Sequence, residues 1–133
     1  MSENTEKPCA CSAAPKLIFP CSGASDVGEI ADRAARGLTK EGAGKMYCLA
    51  GIGGRVNDII VNAQAAGLIL AIDGCKQDCA RKTLEGAGFS GFQHLRLEDV
   101  GFVKGSSPVT GGRIDEAVAL AKPLLLNGES CCQ

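Results

Sequence analysis

Apolar and polar positions follow two different rhythms along this chain. Residues 16–23 (KLIFPCSG), 44–51 (GKMYCLAG), 68–74 (LILAIDG) and 92–101 (FQHLRLEDVG) read as strands. The first and third are nearly unbroken apolar runs, as expected of strands covered on both faces of a sheet. Between the strands the apolar spacing widens to the helical period. Over residues 25–39, Val27, Ile30, Ala34 and Leu38 share one face, and Asp26 with Glu29 offers a capping-box-like start. In RVNDIIVNAQAAG (55–67), Val56, Ile59, Ile60 and Ala63 keep the i, i+3, i+4, i+7 spacing, and Gly67 stands at the natural stop. A third helix passes through Leu84 to the glycines at 86 and 88. A last one, from about Gly112, carries Ile114, Val118 and Ala121. Pro123 is expected to kink or end it, because proline lacks the backbone donor and crowds the carbonyl one turn back.

Regular alternation of strand and helix predicts an α/β fold: a small three-layer, Rossmann-like or flavodoxin-like parallel sheet of about four strands with helices on both faces. The expected organisation is a flexible cysteine-containing tail over 1–15, one α/β domain over 16–126 and a second cysteine-containing tail over 127–133. No internal repeat and no internal linker is visible.

Composition narrows the function. A chain of 133 residues with 45% hydrophobic content suits one compact core. Fourteen basic residues face fifteen acidic ones with no run of either sign, so neither nucleic acid nor an anionic membrane is an expected partner. Four Phe, one Tyr and no Trp are too few for a base-stacking platform. The start, MSENTEKPCACSAAP, lacks the apolar core of a signal peptide, and the longest apolar run is the pentamer LILAI. A soluble, cytoplasmic protein is expected. In a reducing compartment its eight cysteines point to metal binding or thiol chemistry in preference to disulfides.

The strand reading sets Cys21 at the carboxyl end of the first strand, Cys48 near that of the second, Cys75 just past the third and Cys79 about one turn into the following helix. All four then belong to the sheet edge where doubly wound folds build their sites. Strands about 4.8 Å apart suit thiolates that must lie about 3.8 Å from each other around a tetrahedral metal. Cys75 and Cys79, at i and i+4, are expected on one face of the helix start, where the helix N-terminus favours thiolate over thiol. Glycine, at 18 residues, clusters just after the strands, where tight turns or close approach require it. On this ground alone the cysteines can be a metal site, a thiol-based redox or sulfur-transfer group, or buried small side chains.

The segments FPCSGASDVGEIAD, KMYCLAGIGG, AIDGCKQDCAR and HLRLEDVGFVKG, in this order, resemble the DGC-domain family of small proteins regarded as zinc-binding, named for the Asp-Gly-Cys that stands here at Asp73, Gly74 and Cys75. The resemblance spans roughly residues 16–122. It implies a four-cysteine metal site at Cys21, Cys48, Cys75 and Cys79, with zinc as the leading ion; iron, copper(I) or an iron-sulfur cluster takes similar ligands. The alternative is a thiol-dependent redox or sulfur-transfer enzyme in which Cys75 or Cys21 attacks a soft electrophile and Cys79 resolves it.

Cys9, Cys11, Cys131 and Cys132 fall outside the family-like region. The tails are expected near the opposite, amino edge, and these thiols are read as exposed, without a fixed role. Asp73 is read as capping its turn in preference to serving as a general base beside the thiols. Asp78 is expected to be a solvated first-turn acid, His94 an ordinary structural residue away from the carboxyl edge, and Lys104 a surface lysine in preference to one that approaches the site from the loop after the fourth strand. Cys21 before a glycine-containing loop is similar to the low-molecular-weight phosphatases and arsenate reductases, but their loop closes with an arginine six positions on, where this chain has Val27. AGIGGRVND likewise falls short of a dinucleotide fingerprint. No complete catalytic motif is present.

Overall fold

The computed structural model describes residues 14–127. Its sheet is built from β1 (Lys16–Pro20), β2 (Lys45–Met46), β3 (Leu68–Asp73) and β4 (Gln93–Arg96), all paired in parallel in the order β2-β1-β3-β4. That is the order of the first four strands of a flavodoxin-like sheet. The expected α/β class is therefore observed.

The unbroken apolar runs have a direct cause. In β1, Ile18 enters one core while Leu17 and Phe19 enter the other; in β3, Leu70 and Ile72 go one way and Ala71 the other. Successive side chains point to opposite faces of a strand, so a strand buried on both sides must be apolar throughout. The first face is covered by α1 (Asp26–Lys40) and α5 (Gly111–Asn127), the second by α2 (Leu49–Gly53), α3 (Asn57–Gln64) and α4 (Cys79–Gly86).

Helix α1 follows its predicted face closely, with Val27, Ile30, Ala34 and Leu38 all buried. Its cap differs from expectation. Ser25 is the N-cap and accepts from the Gly28 amide at 3.2 Å, whereas Glu29 pairs with Arg33 and the Asp26 carboxylate turns to a distant loop. Helix α3 ends at Gln64 with Ala65 as its cap, and Gly67 instead donates to the Pro15 carbonyl at the entry to β1.

Three further expectations are corrected. Residues 44–51 are not one strand: only Lys45–Met46 pair with β1, after which Tyr47 donates to Ile18 and the chain coils into α2, carrying Ile52 into the core. Residues 92–101 divide into β4 and a 3-10 turn, Leu97–Val100, which buries Leu97 and ends at Gly101 with φ of 97°. Pro123 lies inside α5, which runs through it. Pro123 and Ala119 are both exposed, so water can take the place of the missing donor at the Ala119 carbonyl. Among the described residues no helix is long and apolar enough to cross a membrane.

Candidate metal centre

Cys21 extends β1 by one further rung: its amide donates to the Ile72 carbonyl at 2.9 Å. The chain then leaves the sheet through Ser22, at a positive φ of 51°, and reaches the Ser25 cap of α1. Sitting at the end of a central strand, Cys21 packs against both cores. The backbone amides of Gly23 and Gly74 border its sulfur and favour the charged form. Burial pushes the Cys21 thiol up, those two amides oppose the rise, and the charges of Asp73 and Cys79 add to it.

Two glycines let the loops after β1 and β3 close on the first turn of α1. A Cβ on Gly28 would lie 2.6 Å from the Gly23 carbonyl oxygen, and one on Gly74 would lie 2.7 Å from the Val27 carbonyl carbon. No side chain fits at either position.

Beyond Gly74, Cys75 occupies a turn closed by the Asp78 amide on the Cys75 carbonyl at 3.2 Å, and Asp78 itself adopts the left-handed conformation, φ 55°. Helix α4 begins only at Cys79. The expectation that Cys75 and Cys79 share one helix face is thus corrected: Cys75 belongs to the loop. Cys79 is exposed in the first turn. Cys48 is also exposed and forms the N-cap of α2, just past β2 instead of within it.

Cys21, Cys75 and Cys79 line one cleft of about 460 Å³, together with Gly23, Gly74 and Lys104. Cys48 lines the adjoining cavity of about 520 Å³, which also reaches Cys21. Cys21 stands between the two. All four thiols therefore gather at the carboxyl edge, but no three of their Sγ atoms lie within 4.8 Å of one another.

The most compact group of metal-type donors among the described residues is a different one: Asp73, Asp78 and His94, with atoms within 4.8 Å of one another. Its chemistry is already satisfied by the protein. Asp73, 1% exposed, accepts from the Ala80 and Arg81 amides at 2.7 and 3.1 Å and bonds His94 Nε2 at 2.8 Å. It caps α4 from the strand end, which refines the capping role expected of it. Asp78, 2% exposed, accepts from Arg96 Nε and Nη2 at 2.8 and 2.5 Å and from Arg81 at 2.9 Å. Two guanidinium groups already neutralise its charge and occupy its oxygens, so the group reads as the buried frame of the DGC turn and not as a cation site.

Asp78 is thus no solvated acid, and Arg96 holds its carboxyl below the usual carboxylate range. His94 is structural, yet its ring reaches the carboxyl edge. The sequence signal for this frame was the His-Leu-Arg of β4, whose alternate residues face one side of the sheet. Lys104 is exposed, as expected of a surface lysine, and from the loop after β4 its Nζ lies 3.8 Å from Cys75 Sγ. Cys9, Cys11, Cys131 and Cys132 lie outside the described residues.

Comparison with known proteins agrees with the motif reading. The model of the DGC domain matches residues 17–120. The chain is 34% identical over 88 residues to the anaerobic and virulence modulator AnvM of Pseudomonas aeruginosa, an overlap covering 66% of this chain and 67% of that protein. No solved structure matches it. The matched span takes in all four strands but for Lys16 at the start of β1, with Cys21, Cys48, the Asp-Gly-Cys turn with Cys79, and Lys104, and this chain belongs to the DGC domain family.

Proposed function

We propose that this protein is a cytoplasmic metal-binding protein that holds one thiophilic ion, zinc foremost, between Cys21, Cys48, Cys75 and Cys79. The observation that carries this reading is the convergence of four free thiols from three strand-end loops on one sheet edge, around Cys21. The donor set fits a soft or borderline ion, since sulfur is the metal-type donor lining the cleft, and the Asp32 carboxylate of the adjoining cavity is already engaged by Ser22 and Arg36. Cys21 fits in a second way. Burial and nearby negative charge disfavour its thiolate, the Gly23 and Gly74 amides offset part of that, and a cation removes the remaining penalty.

Binding draws the four thiolates together into a closed shell, in which the ion is structural or carried; a ligand that leaves exposes a nucleophilic thiolate. The name of the Pseudomonas aeruginosa relative, an anaerobic and virulence modulator, is compatible with a site whose occupancy responds to redox conditions. In the absence of metal the same residues support the alternative, thiol redox or sulfur transfer by Cys75 and Cys79, for which the ammonium of Lys104 beside Cys75 is the specific observation.

The test is metal analysis by plasma mass spectrometry of protein purified anaerobically without a metal-affinity tag. The expected result is about one ion per chain, lost in Cys21→Ser, Cys48→Ser, Cys75→Ser and Cys79→Ser and kept when Cys9, Cys11, Cys131 and Cys132 are replaced by serine. A folded, metal-free protein that takes up no added zinc and whose core thiols react freely with alkylating agents overturns the metal reading in favour of thiol chemistry.

A further inference from the structure

Lys104 is the charged side chain on the wall of the cleft that holds Cys21, Cys75 and Cys79, and its Nζ lies 3.8 Å from Cys75 Sγ. An exposed lysine is ordinarily free to swing, so its position alone means little. Here the backbone on both sides of it is tied down. Gly105 donates to Asp26 Oδ1 at 2.9 Å and Ser107 donates to Asp26 Oδ2 at 3.0 Å. The buried Ser107 hydroxyl accepts from the Val103 amide at 2.8 Å and donates to the Val103 carbonyl at 2.9 Å. Phe102, 1% exposed, pins the segment to the core.

Asp26 stands in the first turn of α1, directly after the Ser25 cap that lines the same cleft. The amides of Gly105 and Ser107 hold its carboxyl below the usual range, so it is ionised at neutral pH. One carboxylate thus clasps the 103–107 loop against the helix that borders the site. No role in the fold requires this clasp to end in an ammonium group facing a cysteine.

We infer that Lys104 is the charge partner of the metal centre, donating from its ammonium to the Cys75 thiolate, and that Asp26 is the positioning residue that keeps it there. The inference rests on the metal reading above. Four thiolates around a divalent ion leave a double negative charge, and Lys104 offsets half of it at Cys75, in the loop after β3. Charge-assisted hydrogen bonds to ligating atoms tune metal retention in this way, and removing such a partner typically costs roughly 10–100-fold in affinity.

The experiment loads the full chain with zinc and follows transfer of the ion to a chromophoric chelator, comparing wild type with Lys104→Met, Lys104→Arg and Asp26→Asn. Lys104→Met is expected to weaken zinc retention about 10-fold or more, and Lys104→Arg to restore most of it. Asp26→Asn should show an intermediate loss. Thermal melting of the metal-free Lys104→Met variant should match wild type, because an exposed methylene stem contributes little to the fold. Equal zinc retention in wild type and Lys104→Met overturns the inference while leaving the metal site standing. A wild-type chain that takes up no zinc overturns the metal reading, and the inference with it.

Discussion

Asp78 shows how a single residue gives the DGC turn its shape. Its backbone is left-handed and its side chain is buried, and Arg96 grips both carboxylate oxygens from the neighbouring strand. Removing Arg96 leaves the buried Asp78 carboxylate with Arg81 as its remaining guanidinium partner, so Arg96→Ala is expected to lower stability by about 1–3 kcal/mol in urea denaturation. The pair also predicts an acid limb. The folded carboxyl is depressed by Arg96, whereas the unfolded one takes up its proton near about pH 3.9. Below that value the unfolded chain binds a proton that the folded chain resists. The stabilisation is therefore complete above about pH 4 and is lost as the pH falls through the lower folded value. Urea midpoints measured across this range should fall less steeply in Asp78→Asn than in wild type. An unchanged slope would show that other carboxylates govern the acid limb.

At the scale of elements, the site depends on how closely the turn after β3 approaches α1. The backbone of Val27 occupies the space where a side chain at Gly74 would begin, and backbone cannot rotate aside as a flexible side chain does. Gly74→Ala is expected to cost about 1–3 kcal/mol and to displace Cys75 together with the turn. Denaturation and zinc uptake should therefore be impaired together, and a variant with reduced stability but full zinc uptake would show that Cys75 tolerates the shift. The β2 segment shows a different dependence. It makes only two paired positions before α2 begins, so Cys48 is presented by a short edge strand and one helical turn. Of the four thiols it is the one that does not line the cleft shared by Cys21, Cys75 and Cys79.

For the whole molecule, the decisive feature is that two apolar cores, one on each face of the sheet, count none of the four candidate metal-binding cysteines among their fully buried members. Chelation is therefore expected to leave the circular dichroism spectrum and cooperative unfolding intact. Bound zinc then adds stability by linkage, about 4 kcal/mol when the free ion is at about 1,000 times its dissociation constant. Collapse of the fold on chelation would contradict this and make the ion a structural necessity, as in small zinc domains.

The sequence by itself determined the alternation of strand and helix, the buried face of α1 and the doubly covered strands β1 and β3, because these follow from local periodicity and the demand to bury apolar side chains. It also brought Cys21, Cys48, Cys75 and Cys79 to one sheet edge, since in a parallel sheet every strand ends on the same side. Short elements were less legible. The 44–51 and 92–101 segments looked extended throughout, yet the chain turns helical at Leu49 and at Leu97, burying Ile52 just beyond the first segment and Leu97 within the second. Only the tertiary structure decided which thiols share a cleft, that Asp78 is buried against Arg96, and that Asp26 reaches across 79 residues to hold the loop bearing Lys104. Those outcomes depend on contacts between residues far apart in the chain, and no local pattern of hydrophobic and polar positions encodes such partners.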